Sequence, residues 1–177
     1  MRALPKAPIL PSESVRIVRR GTLERSGPTI YVFADALDEV VFHAGYRDEP
    51  SVTLLIGGGY AGPAGRYIEI EGFTASRYVA HIDDAATEIG RRMQALVKEL
   101  TDPGEQVLGW SFGLPGSRGE MTEDALRIHL TWFNLPHQVY LSIDPQSQQY
   151  GFHQRGTDGR MHNVGFNLIR AHQHEGS

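Results

Sequence analysis

Apolar residues recur along this chain at two spacings, and the switching between them outlines the elements. In "ADALDEVVFHAGY", from Ala34 to Tyr46, Leu37, Val40, Val41 and Ala44 share one face of a helical repeat, and Asp35 sits where the helix dipole favours a negative charge. The stretch predicts a helix. "SVTLLIGGGYAGPAGRYIEIEGF" follows with an apolar run, a glycine-rich segment and strict alternation from Tyr67 to Glu71. That pattern predicts a β-hairpin whose turn is the glycine stretch from Gly57 to Gly65. A phosphate-loop reading of the same glycines is set aside, because the Gly-Lys-Ser/Thr ending is missing and no helical pattern follows directly.

Asp83 to Leu100 carries the strongest helical signal. Ala85, Ile89, Met93, Leu96, Val97 and Leu100 form the apolar stripe, acids open it, Arg91, Arg92 and Lys98 come later, and Pro103-Gly104 stops it. The stripe reads as core or interface rather than a cofactor box. "QVLGW" predicts a short buried strand, followed by a loop from Ser111 to Arg118 and a helix from Thr122 to Phe133, with Thr122 as cap and Glu123 and Asp124 in its first turn. "HQVYLSIDP" is a strand ending in an Asp-Pro turn, and "QQYGFHQR", "GTDGR" and "HNVGFNLIR" form a second hairpin.

Residues 1–14, with three prolines, read as a flexible arm, residues 15–170 as one domain and residues 171–177 as a flexible tail. Arg16, Arg19 and Arg20 could attract phosphates or acidic partners but read instead as a solvated edge. The order of elements indicates an α/β (α+β) fold: a mixed central β-sheet flanked by helices.

Composition narrows the function classes. The 177 residues are 40% hydrophobic, enough for a real core. Seventeen basic against twenty-one acidic residues give a net charge of -4, which argues against a nucleic-acid partner. The absence of cysteine excludes disulfides, thiolate metal sites and a thiol nucleophile. No apolar run approaches the roughly 20 residues that cross a bilayer. The expectation is a soluble, cytoplasmic protein without a membrane partner.

"LDEVVFHA", "LLIGGGYAGPAGRYIEIEGF", "VLGW", "MTEDALRIHLTWF" and "VYLSIDP" occur in an order and spacing that resembles the JAB1/MPN/Mov34 family, the fold of the JAMM-type metalloproteases, over about Thr29 to Ile169. The resemblance implies a site built from His-x-His-Pro followed by Ser-x-x-Asp after a Gly-Trp strand. Two imidazoles and a carboxylate hold zinc there, a glutamate deprotonates the bound water, and the serine supports the oxyanion. Laid on this chain, the motif places Phe112 and Leu114 at the histidines, keeps Pro115, and puts Thr122 at the serine and Ala125 at the aspartate. The glutamate position falls on Pro50, with Glu49 one residue away, a slip that reverses a side chain in a strand. No side chain at the ligand positions offers a lone pair, so no zinc and no cofactor are expected.

The resemblance therefore implies a catalytically inactive domain that serves as a protein-protein interaction scaffold or as a subunit of a larger assembly, paired with another MPN domain or with itself. Candidate contact surfaces are the helices at Asp83 to Leu100, with Arg91 and Arg92, and at Ala34 to Tyr46, and the Ser111 to Arg118 loop. In that loop Phe112 and Leu114 either plug the old metal pocket, the favoured reading, or present anchors to a partner. Two rivals stay open. One is an active isopeptidase or peptidase with a displaced zinc site, whose candidate ligands are Asp124, His129 and the tail motif His172-Gln173-His174; the other is a binding module for a ubiquitin-like protein or small ligand in the vacated groove. Ser111, Ser117 and Ser142 lack the setting of a nucleophile and an identifiable histidine-acid pair.

Overall fold

A computed structural model describes residues 15–21, 27–100 and 104–171 of the chain. The elements run β1 (Val15–Arg20), β2 (Thr29–Phe33), α1 (Ala34–Ala44), β3 (Ser51–Gly62), β4 (Gly65–Phe73), β5 (Arg77–Tyr78), α2 (Ile82–Glu99), β6 (Gln106–Gly113), α3 (Glu123–Trp132), β7 (Val139–Asp144), β8 (Gln149–Arg155), β9 (Met161–Val164) and β10 (Phe166–Ala171). Together they form a mixed α/β domain. Its one sheet has the order β1-β10-β2-β4-β3-β6-β7-β8-β9, with β5 on β3.

Only Gly165 separates β9 from β10, yet the two strands sit near opposite ends of that order. The sheet must therefore curl until its ends approach, giving a half-barrel. Across the seam Gln154 Nε2 donates to Pro28 O at 2.7 Å, and the Phe152 and Phe166 rings meet edge to face at 4.9 Å.

Each helix is placed by its apolar face. Leu37, Val40 and Ala44 bury α1, and its chain leaves through Gly45, whose N–H bonds back to Val41 O and Phe42 O. Ala85, Ile89 and Leu96 bury α2, with Met93 and Leu100 packed at the core's edge. Val97, counted with that stripe from the sequence, is 82% exposed, because it lies a quarter turn beyond Leu96. Thr122 caps α3, its hydroxyl accepting the Ala125 N–H at 3.2 Å, and Ile128 and Phe133 bury the helix against β6 and β7.

Four sequence expectations are corrected. The glycines from Gly57 do not form the hairpin turn: Gly57 to Gly59 lie inside β3, and the chain reverses at Pro63-Ala64. Gly57 sits at a bulge where a Cβ would come within 1.8 Å of Glu69 O, so glycine is needed for strand approach rather than for a turn. β6 continues past Trp110 to Gly113, which puts Ser111 and Phe112 in the strand and not in a loop. The final hairpin ends at Val164, and the segment read as its continuation crosses over to pair with β1 and β2 as β10. The short strand β2, antiparallel to none of its neighbours, was not anticipated.

Candidate functional site

The Gly-Trp pair at the end of the family-like frame has a backbone reason. Gly109 adopts φ +147°, and a Cβ there would lie 1.9 Å from Val139 O, so only glycine lets β7 pair this closely. Trp110 then points toward α3. Its indole stacks on Phe133 at 6.0 Å and 4°, lies 4.7 Å from the Tyr140 ring, and donates through Nε1 to His129 Nδ1 at 3.1 Å.

Phe112, two residues on, follows the same pleat. It is 1% exposed, with its ring 6.0 Å from Trp110, and it pairs in register with Val52 on one side and Ser142 on the other. Ala125 is fully buried on α3, and Leu114 packs half-buried against the core while its N–H donates to Ile143 O. Phe112, Leu114 and Ala125 thus occupy space as packing. Glu49 is exposed in the bend before β3. Thr122 and Asp124 are engaged in capping and in pairing with Arg127. Among the described residues no three His, Asp or Glu side chains gather as metal ligands, and His172 and His174 lie outside the described residues.

Beneath the frame lies a polar cluster that pattern reading missed. Asp144, 1% exposed, accepts from Arg118 N at 2.8 Å, Gly116 N at 3.1 Å and Gln146 N at 2.9 Å. Burial raises the pKa of its carboxyl, but these donors and Ser147 outweigh it and hold the group well below the usual carboxylate range. The loop from Leu114 to Glu120 is therefore wrapped on a carboxylate, and Arg118 is held at φ +58° to reach it.

Ser142 and His153 form a buried pair, Oγ to Nε2 at 2.9 Å, which has the look of a nucleophile and its base. The hydrogen-bond count assigns it otherwise. Ser142 Oγ also lies within bonding distance of Gly119 O and, at 3.2 Å, of Gly151 O, and carbonyl oxygens only accept. The hydroxyl proton is therefore directed at a carbonyl, and the tautomer assigned to His153 by this count carries its proton on Nε2 and donates to Oγ. A histidine in that tautomer cannot deprotonate the serine, and the pair instead fastens the loop at Gly119. Burial pushes the His153 pKa down to about 4 against a partly offsetting bond with the Gly119 backbone. It pushes that of His129 down to about 4, helped by Arg155 and His153. No local pattern signals this pairing, because the partners sit on different strands and meet only through the β7-β8 register.

On the helix surfaces Arg91 pairs with Glu88, which Arg77 also approaches at 3.7 Å. Arg92 is half-buried, and its Nε finds no hydrogen-bond partner among the described residues. α1 turns Phe42 and Tyr46 outward, 65% and 71% exposed.

The curled sheet carrying three described helices defines the class of the molecule as a mixed α/β half-barrel. Its fold is similar to that of the protein DSY2949 from Desulfitobacterium hafniense, solved in solution: TM-score 0.55 at 16% identity, covering 83% of this chain and 97% of that one. No family model matches the chain, and no curated protein matches it.

Proposed function

We propose that this chain is a non-catalytic binding protein, a pseudoenzyme of the JAB1/MPN/Mov34 type that acts as a protein-protein interaction scaffold or as a subunit of a larger assembly. Its partner is a protein, whether a second copy, another such domain or a different surface. The observation that carries the reading is the packing of Phe112 and Ala125: two of the three ligand-equivalent positions are fully buried parts of the core, and the third, Leu114, packs half-buried against it. A side chain in that environment contributes apolar burial and leaves no polarised opening where water and substrate could meet a metal. The tautomer assigned to His153 supports the same reading, since it spends the buried Ser142-His153 pair on holding a loop.

The test is metal analysis of tag-free protein after mild chelation and readdition of zinc. The expected result is a folded protein without stoichiometric metal. Stoichiometric zinc bound at micromolar affinity or better, with peptide or isopeptide hydrolysis that depends on it, overturns the proposal.

A further inference from the structure

The outward side of α1 is a ridge between two depressions. On one flank a groove of about 860 Å³ is lined by Asp35, Glu39, His43, Arg47 and Tyr78. On the other, a groove of about 580 Å³ is lined by Asp38, Pro145, Gln148 and Tyr150. Phe42 and Tyr46 stand on the crest with their rings 6.3 Å apart, and Tyr150 is itself 37% exposed. Large aromatic rings left this open on a folded surface cost free energy in water and are the residue types that dominate binding when a partner covers them.

The charge on the ridge selects the partner. From Asp35 to Glu49 the chain carries Asp35, Asp38, Glu39, Asp48 and Glu49 against Arg47 alone, and Arg47 lies over the Tyr78 ring at 5.1 Å. On the other helices several acids are paired with arginine: Glu88 with Arg91 and Arg77, Asp83 and Asp124 with Arg127. On the ridge the only ion pair among the described residues is Glu39 with His43 at 3.7 Å, a contact that is ionic only when the imidazole is protonated. Asp35 and Glu39, one helical turn apart, repel each other.

We propose that this face docks a cationic protein surface, one presenting lysine and arginine side chains around an apolar centre. The apolar centre covers Phe42 and Tyr46, and the basic rim lies over the carboxylates on both flanks, so a single partner removes both unfavourable features. The charges also steer such a partner before contact. The proposal rests on the reading of the chain as a binding protein and adds to it the place and the chemistry of the contact.

A display library of random peptides selected on the intact protein tests it. The expected outcome is recovery of peptides enriched in lysine and arginine around apolar residues. Their affinity falls about tenfold or more in Asp38→Lys and in Phe42→Ser, and falls as salt rises, while the melting temperature of both variants stays near that of the parent. A selection that returns nothing, peptides with no basic enrichment, or basic peptides indifferent to both substitutions overturns it. Peptides displaced instead by changes on α2 or in residues 114–118 overturn the placement on α1 and leave the binding-protein reading intact. Zinc-dependent hydrolysis overturns that reading whatever the peptides do.

Discussion

A ring as enclosed as that of Phe112, with Trp110 beside it on β6 and Val52 and Ser142 across from it, holds the molecule together more than it faces any ligand. Phe112→Ala is expected to cost about 3–5 kcal/mol, the usual range for removing a buried aromatic side chain, measured by urea unfolding. An anchor held out to a partner would behave in the opposite way, losing binding with little loss of stability. At this scale the sequence was informative where chemistry is subtractive: phenylalanine, leucine and alanine at metal-ligand positions can be read directly. It does not reveal what His129 and His153 bond to, because a histidine's role depends on which atoms surround it, and those come from other elements.

Among the elements, the loop between β6 and α3 depends on its neighbour β7. Asp144 at the end of β7 accepts two of the loop's N–H groups, and Ser142 on the same strand bonds Gly119 O. Asp144→Asn replaces one acceptor oxygen with a donor and removes the charge. The amides of Gly116 and Arg118 are then expected to lose protection in hydrogen exchange, while those of α2 keep theirs. The helices were legible because their apolar stripes have a long period to establish themselves, and α3 was found with its cap. The strands were legible less evenly. β2 is five residues and runs straight into α1, so no alternation has room to appear, and the β9-β10 break at Gly165 looks in sequence like one continuous strand. The end of β6 is hidden because glycine and proline after Trp110 read as a loop, whereas Gly113 lies in the strand where a Cβ would crowd Ala44.

For the whole molecule, the two buried neutral histidines set how stability follows pH. Their native pKa values, about 4, lie below the ordinary value of 6.5, so the unfolded chain binds these protons first. Their contribution is complete above about pH 6.5, declines as pH falls toward 4, and changes little below that. Each accounts for up to about 3 kcal/mol over this window. Asp144 acts lower: its native pKa is depressed, so its contribution is present above the unfolded value and is lost only as pH drops below about 4. Denaturation midpoints measured from pH 7.5 to 3 should therefore fall in two stages, the first removed in large part by replacing both histidines with glutamine. A single flat profile down to pH 4.5 would contradict the buried, neutral state of the pair.

The single-residue link at Gly165 also has a consequence for the order in which the molecule can be made. β10 is the strand that joins β1 to β2, and its partners in register lie more than a hundred residues earlier in the chain. Until the ribosome has released β10, β2 has an unpaired edge and β1 has no neighbour in the sheet, however complete the middle of the sheet has become. Closing so long a loop is slow. Until β10 has been made, the chain can form at most an open sheet whose β2 edge is bare, and such an edge is a template for aggregation.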